Sequence, residues 1–291
     1  MICNLCPRSC SIDRSSAIGF CGAGAKIKLA RAALHHWEEP CISGKGGSGA
    51  VFFSGCSLKC CFCQNYQISA NGFGTECSEE RLCEIILELQ EQGAHNINLV
   101  TPTHYVPQII SILEKVKSSL HIPVVYNSGA YENIVTLKKL DGLVDIYLPD
   151  IKFYDSTLSK RYANAPDYFK HASAAVLEMF HQTGSYQMKD GLIQRGTIIR
   201  HMILPGAYRD SIKIIEWVAE HFSANEILVS LMSQYTPCHR SDSFPEINRR
   251  LTSFEYQKVL DAALENGLQG YMQERSSAKK EFTPPFDLTG I

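Results

Sequence analysis

The sequence predicts an α/β fold with parallel strands inside and helices outside. Two observations carry this. From residue 50 onward, short near-continuous apolar runs alternate with segments of helical period, giving six or seven β/α units. The apolar runs are too short to be anything but strands buried on both faces, which is how a parallel sheet covered by helices reads. A third observation locates the site. A cysteine-rich loop directly follows the first such strand, and open parallel sheets and barrels collect their ligands at the carboxyl ends of strands.

Residues 50–54 form the first strand of this series and feed the loop. Ser78 is placed to cap a helix running to residue 92, with Glu79 and Glu80 in its first turn and Leu82, Ile85, Ile86 and Leu89 on one face. Strands follow at 96–101, 122–127 and 144–148, with helices at 104–118, 132–140, 157–163 and 166–182 between and after them. A hairpin is expected at 186–195, with Asp190-Gly191 at its turn. A strand at 197–203, a helix at 210–222, a strand at 227–232, a helix at 254–266 and a short strand at 268–272 complete the series. Residues 1–45 read as a cysteine-rich segment and connector, 46–272 as the α/β body, and 273–291 as a tail. In that tail, Phe282 and Phe286 suggest packing back across the body.

Composition narrows the function classes. The chain has 291 residues, 45% of them hydrophobic, enough for one large domain plus a small module. A net charge of −2 gives no general nucleic-acid or membrane surface. No apolar run approaches the roughly 20 residues of a membrane span, and the chain opens Met1-Ile2-Cys3 without a leader-like stretch. Seven of the 12 cysteines lie in two tight groups. Together these predict a reducing, cytoplasmic setting in which clustered thiols bind metal.

The loop reads Gly55-Cys56-Ser57-Leu58-Lys59-Cys60-Cys61-Phe62-Cys63-Gln64-Asn65. Cys56, Cys60 and Cys63 have the spacing C-x3-C-x2-C, and three such thiolates favour zinc or an iron–sulfur cluster. Zinc would need a fourth ligand. Cys61 is adjacent to Cys60 and cannot easily aim at the same ion, so it reads as a small buried residue. A 4Fe-4S cubane on three cysteines would leave one iron open to chemistry.

This motif resembles the cluster motif of the radical S-adenosylmethionine (radical SAM) superfamily. The surrounding Phe52-Phe53-Ser54-Gly55 and Gln64-Asn65-Tyr66 are similar to proteins related to pyruvate formate-lyase activating enzyme. The resemblance implies a partial (β/α)6 TIM-like barrel. It also implies a 4Fe-4S cluster whose open iron is chelated by S-adenosylmethionine (SAM), and a reducing electron donor such as flavodoxin or ferredoxin. The activity it implies is that of an oxidoreductase abstracting hydrogen by way of a 5′-deoxyadenosyl radical, in the form of a glycyl-radical enzyme activase acting on a protein. Because the extra cysteines precede the motif here, a different radical reaction on a protein, peptide or small molecule stays open. Outside the enzymes, an electron carrier would tie every iron to protein, and a zinc-stabilised binding module would leave the polar strand ends unexplained.

Those strand ends offer candidate SAM ligands. Thr101 and Thr103 follow the second strand, where many members of the superfamily carry Gly-Gly-Glu and this chain has no acid. Asn127 and Ser128 end the third. Asp150 and Lys152 follow the fourth, and Asp-x-Lys there resembles the glycyl-radical activating enzymes. Arg200 stands within the apolar fifth, and Gln234 follows the sixth. His201 beside Arg200 reads as a satisfied core histidine, and Cys238-His239 has no oriented third partner for a nucleophile. Cys3, Cys6, Cys10 and Cys21 suit a second metal, zinc or an auxiliary iron–sulfur cluster, which would supply much of the folding energy of so small a segment. His35, His36, Glu38 and Glu39 read as a hydrogen-bonded connector. Gly44 to Gly49 read as a flexible approach to the first strand that passes near the cofactor.

Overall fold

A computed structural model describes residues 2–272 and 283–291. Strands are β1 (Ile27–His35), β2 (Ser48–Phe53), β3 (Thr75–Cys77), β4 (Ile97–Val100), β5 (Val124–Ser128), β6 (Ile146–Pro149), β7 (Gln187–Lys189), β8 (Leu192–Met202), β9 (Leu228–Met232) and β10 (Gly270–Met272). Short helices α1 (Pro40–Ser43) and α2 (Tyr66–Ser69) flank β2. The outer helices are α3 (Glu79–Glu91), α4 (Val106–Val116), α5 (Ile134–Leu137), α6 (Ser156–Ala163), α7 (Tyr168–Thr183), α8 (Tyr208–His221) and α9 (Ser253–Glu265).

Strands β2, β4, β5, β6, β8, β9 and β10 pair in parallel, in chain order. Every crossover therefore steps the same way. That winds the sheet toward a barrel rather than a doubly wound layer. This is the α/β partial barrel the sequence predicts. The strand interiors are wholly buried in β2, β4, β5, β6 and β9. The helices start where capping chemistry says: the Ser78 side chain accepts from Arg81 N, Asp155 caps α6, and Thr252 and Glu255 form a capping box on α9. The hairpin β7–β8 turns at Asp190 (φ 52°) and Gly191 (φ 79°), as Asp-Gly predicts.

Two strands were not expected. β1 pairs antiparallel with β2, and β3 with β1. β1 carries Ala30, Ala32 and Ala33, which have little strand propensity, so it is fixed by tertiary pairing. The glycine stretch also departs from expectation. It lies away from the cavity described below, where Gly46 N–H donates to His95 Nε2 (2.9 Å), and a Cβ at Gly47 would stand 2.8 Å from His36. The far end of the chain lies along β1: Leu288 N–H donates to Ala30 O and Ala32 N–H to Thr289 O (3.1 and 2.9 Å), and Phe286 meets Phe52 edge-on. Phe282 lies outside the described residues. No described helix is long and apolar enough to cross a membrane.

Candidate active site

The carboxyl ends of the parallel strands surround one cavity. Cys56, Cys60 and Cys63 line it, together with Thr101, Asn127, Ser128, Asp150, Lys152, Arg200 and Gln234. Thr103 does not. Its hydroxyl donates to buried Glu132 Oε1 at 2.6 Å, because the chain turns into a helix at that residue and carries the side chain away from the cavity. Tyr235, the neighbour of Gln234, turns away from the cavity and donates to Ile247 O (2.8 Å).

The cysteine loop leaves β2 through Ser54 and Gly55. Gly55 has φ +96°, and a Cβ there would stand 2.6 Å from Cys21 O. Glycine is required on both counts. The close approach lets Cys56 N–H donate to Cys21 O at 3.0 Å, so the N-terminal segment sits directly on the cysteine loop. Arg8 reinforces this contact. It donates to Ser57 O (2.8 Å), Ala163 O (3.0 Å) and Asn164 O, between the rings of Phe20 and Tyr131. Arg14 does the same further along, donating to His104 O and Gly24 O.

Below the loop lies a buried ionic network. Arg200 donates Nε–H to Asp150 Oδ1 (2.7 Å), Nη1–H to Glu38 Oε2 (2.8 Å) and Nη2–H to Asn127 Oδ1 (2.7 Å). Lys152 donates to Asp150 Oδ2 at 2.7 Å. Burial alone would raise Asp150, but Arg200 and Lys152 hold it below the ordinary carboxylate range. Burial likewise works against the charge on Lys152, and Asp150 keeps it raised. Both ions therefore stay charged. Glu38 also accepts from Asn98 and Asn127 (3.1 and 3.3 Å).

Sequence reasoning missed three contributors. Glu38 and Glu39 line the cavity, and a run read as a connector gave no sign of a partner 162 positions away. Fully buried Tyr168 accepts from Lys152 N–H (2.9 Å) and faces the carbonyls of Gly129 and Asp150, fixing the Asp-x-Lys turn. A β-branched residue at φ +60° is a further feature that no sequence pattern announces. Thr101 has that conformation at the cavity wall, where strain concentrates at functional positions. His201 is a satisfied core residue, its Nδ1 on Ile151 O and its Nε2 on Ser211 Oγ (2.6 and 2.8 Å). Cys61 is buried, and Cys238 Sγ points to Phe62 O (3.2 Å).

The donor set fits an iron–sulfur cluster. Three soft ligands face one cavity, and backbone and hydroxyl donors already point at two of the sulfurs: Leu58 N–H to Cys56 Sγ (3.4 Å) and Ser69 Oγ–H to Cys63 Sγ (3.3 Å). Burial pushes the Cys60 and Cys63 thiols up, so their thiolate forms need a bound cation. A Cβ at Gly129 would stand 2.8 Å from Leu58 Cδ1, so glycine lets the end of β5 pack directly against the cysteine loop. Among the described residues no three His, Cys, Asp or Glu side chains converge as for a single ion. Thiolates on three different irons need not converge in that way. Cys3, Cys6, Cys10 and Cys21 lie outside the cavity, in a folded loop where Phe20 N–H donates to Cys10 Sγ (3.5 Å). An added Cβ on Gly19 would lie 3.5 Å from Cys21 Sγ and 3.8 Å from Cys10 Sγ.

Residues 50–224 match the model of the Radical SAM superfamily, a span holding the cysteine loop and every strand end from β2 to β8. The chain belongs to the radical SAM superfamily. It is also 31% identical over 275 residues to uncharacterized protein MJ0674 of Methanocaldococcus jannaschii, covering 90% of this chain and 74% of that one. Among solved structures, SuiB of Streptococcus suis bound to precursor peptide SuiA superposes with TM-score 0.51 at 16% identity. The match covers 75% of this chain and 46% of SuiB, so this chain spans under half that protein's length. Methylornithine synthase (PylB) superposes with TM-score 0.50 at 15% identity, over 74% and 63%. At these identities the two structures show a shared fold.

Proposed function

We propose that this protein binds a 4Fe-4S cluster through Cys56, Cys60 and Cys63, cleaves SAM reductively, and abstracts hydrogen from a substrate in the barrel. The observation that carries this reading is the convergence of three thiols and the polar strand ends on one cavity. When bound, the cluster and SAM supply one-electron scission of the sulfonium to methionine and a 5′-deoxyadenosyl radical.

The chain's own residues bind, orient and shield. Thr101 and Gln234 offer hydroxyl, carbonyl and amide groups to the SAM amine, ribose and adenine, while Asn127 and Ser128, held by Arg200, Glu38 and Glu132, shape the same wall. Asp150 and Lys152, locked by Arg200 and Tyr168, present a fixed charge pair below the loop, and the buried walls exclude water from a reactive radical. The electron donor is a low-potential carrier such as flavodoxin or ferredoxin. The substrate is a protein, peptide or small molecule, with glycyl-radical activation the form suggested by the Asp-x-Lys pair. We further propose Cys3, Cys6, Cys10 and Cys21 as ligands of a second metal, zinc or iron–sulfur, which iron and zinc analysis of a Cys6→Ser variant would identify. The test of the main reading is anaerobic reconstitution with iron and sulfide, reduction, and assay of 5′-deoxyadenosine from SAM. Wild type should form it and Cys60→Ala should not. Product from Cys60→Ala would refute the cluster assignment.

A further inference from the structure

The cavity floor contains a carboxyl group that is only loosely partnered: its neighbours are Ser230 and Arg200, and neither closes a short hydrogen bond to Oε2. Glu39 is 7% exposed and lines the cavity, yet its Oε2 has no hydrogen-bond partner among the described residues. The nearest cation is Arg200 Nη1 at 3.9 Å, and that nitrogen already donates to Glu38. Ser230 Oγ, on the same floor, is buried beside Glu39 and makes no short hydrogen bond of its own. A desolvated acceptor left without a close partner is unfavourable unless something else completes it. Around it, three carboxylates (Glu38, Glu39, Asp150) face two cations (Arg200, Lys152). Burial, with Arg200 opposing it and Glu38 adding to it, raises Glu39 above the ordinary carboxylate range, so a cation seated against it would restore its charge.

Position separates this floor from the cysteine loop. His35 pairs with Ser48 at the start of β2, so Glu38 and Glu39 rise from the amino-terminal edge of the strands, whereas the cysteines follow the carboxyl end of β2. Ser230 pairs with Arg200 within the sheet rather than beyond it. The same cavity is lined by Trp37, Phe52, Met232 and Tyr271, apolar and aromatic faces suited to an alkyl chain with a cationic end.

We propose that Glu39 and Ser230 form a cation subsite at the barrel floor, and that the substrate carries an alkylammonium group docked there, its chain extending toward the SAM site. An ammonium has three donors, enough for Glu39 Oε2 and Ser230 Oγ together. This rests on the radical SAM reading for the word substrate, but not for the binding itself.

The experiment is calorimetric titration of the purified protein with n-pentylammonium chloride and, separately, with 1-pentanol, in the absence of SAM. Wild type should bind the ammonium about tenfold more tightly than the alcohol, the gain expected of a charge-assisted hydrogen bond. Glu39→Gln should lose that preference while its affinity for 1-pentanol stays within about threefold of wild type. Ser230→Ala, which keeps every carboxylate, should weaken ammonium binding by about threefold, and it decides the matter if Glu39→Gln does not fold by circular dichroism. Equal binding of ammonium and alcohol, no ammonium binding by wild type, or unchanged binding by both variants would overturn the proposal and leave water as the floor's occupant. Parallel loss of SAM and ammonium binding in Glu39→Gln would also overturn it, because Glu39 would then belong to the SAM site. Ammonium binding with no SAM cleavage would instead sink the enzymatic reading and keep the subsite.

Discussion

Replacing Arg200 by methionine tests the buried network most severely. The guanidinium makes three side-chain hydrogen bonds of 2.7, 2.8 and 2.7 Å and is 13% exposed, so solvent screens little of the effect. Removing one partner of a buried ion pair costs about 3–5 kcal/mol. The lower end applies here, because each carboxylate keeps some company. Asp150 retains Lys152 at 2.7 Å, and Glu38 retains Asn98 and Asn127. We therefore expect a loss of about 3 kcal/mol, or a fall in Tm of about 6–12 °C for a chain of this size. Denaturant titration and calorimetry would measure it. Background dependence is the sharper readout. Glu38→Gln should destabilise the wild type but stabilise Arg200→Met, since it then removes an uncompensated charge. A cost below about 1 kcal/mol, or the same sign for Glu38→Gln in both backgrounds, would refute the network as described.

Gly55→Ala should cost about 2–4 kcal/mol, combining left-handed strain with displacement of Cys21 O and loss of the Cys56 hydrogen bond. Thermal unfolding would show it, and iron loading should fall with it. Glu132 is fully buried, and burial raises its carboxyl to about 7 despite donors from Thr103, Ser128 and Tyr126. The folded state therefore holds a proton that the unfolded chain releases near pH 4.3, and stability should fall as pH rises from about 4.3 to about 7, then level. Glu132→Gln should flatten that slope in a pH series of melts, and an unchanged slope would place the titration elsewhere. Arg8→Ala should free residues 2–21 to limited proteolysis while leaving the barrel core intact, since its three acceptors lie on the cysteine loop and at the end of α6.

What the sequence shows about this fold is what depends on local pattern. The parallel strands are apolar runs of the right length, and three of the candidate residues, Thr101, Asp150 and Gln234, are polar positions one or two past a strand end, where they stand out against the run. Cys56, Cys60 and Cys63 are legible because a single loop delivers all three. Glu39 and Glu38 are not, because their role comes from the 162-residue separation between Glu38 and Arg200 that only the closed sheet spans. Strand β1 is hidden by its alanines and is held by pairing with β2. Thr103 misleads for a local reason: one more residue past the strand end is already in a helical turn, and the hydroxyl goes to Glu132 instead. The position of Tyr168, distant in sequence from the Asp-x-Lys turn it braces, has no local signature either.

The central claim is that an iron held near Cys56, Cys60 and Cys63 has a coordination position left for SAM. Electron paramagnetic resonance of the reduced, reconstituted protein with and without SAM tests this most directly. The account predicts that SAM changes the cluster's signal in wild type and that Cys60→Ala gives no such cluster. A cluster signal indifferent to SAM would mean that protein ligates every iron. Zinc in place of iron would contradict the account outright.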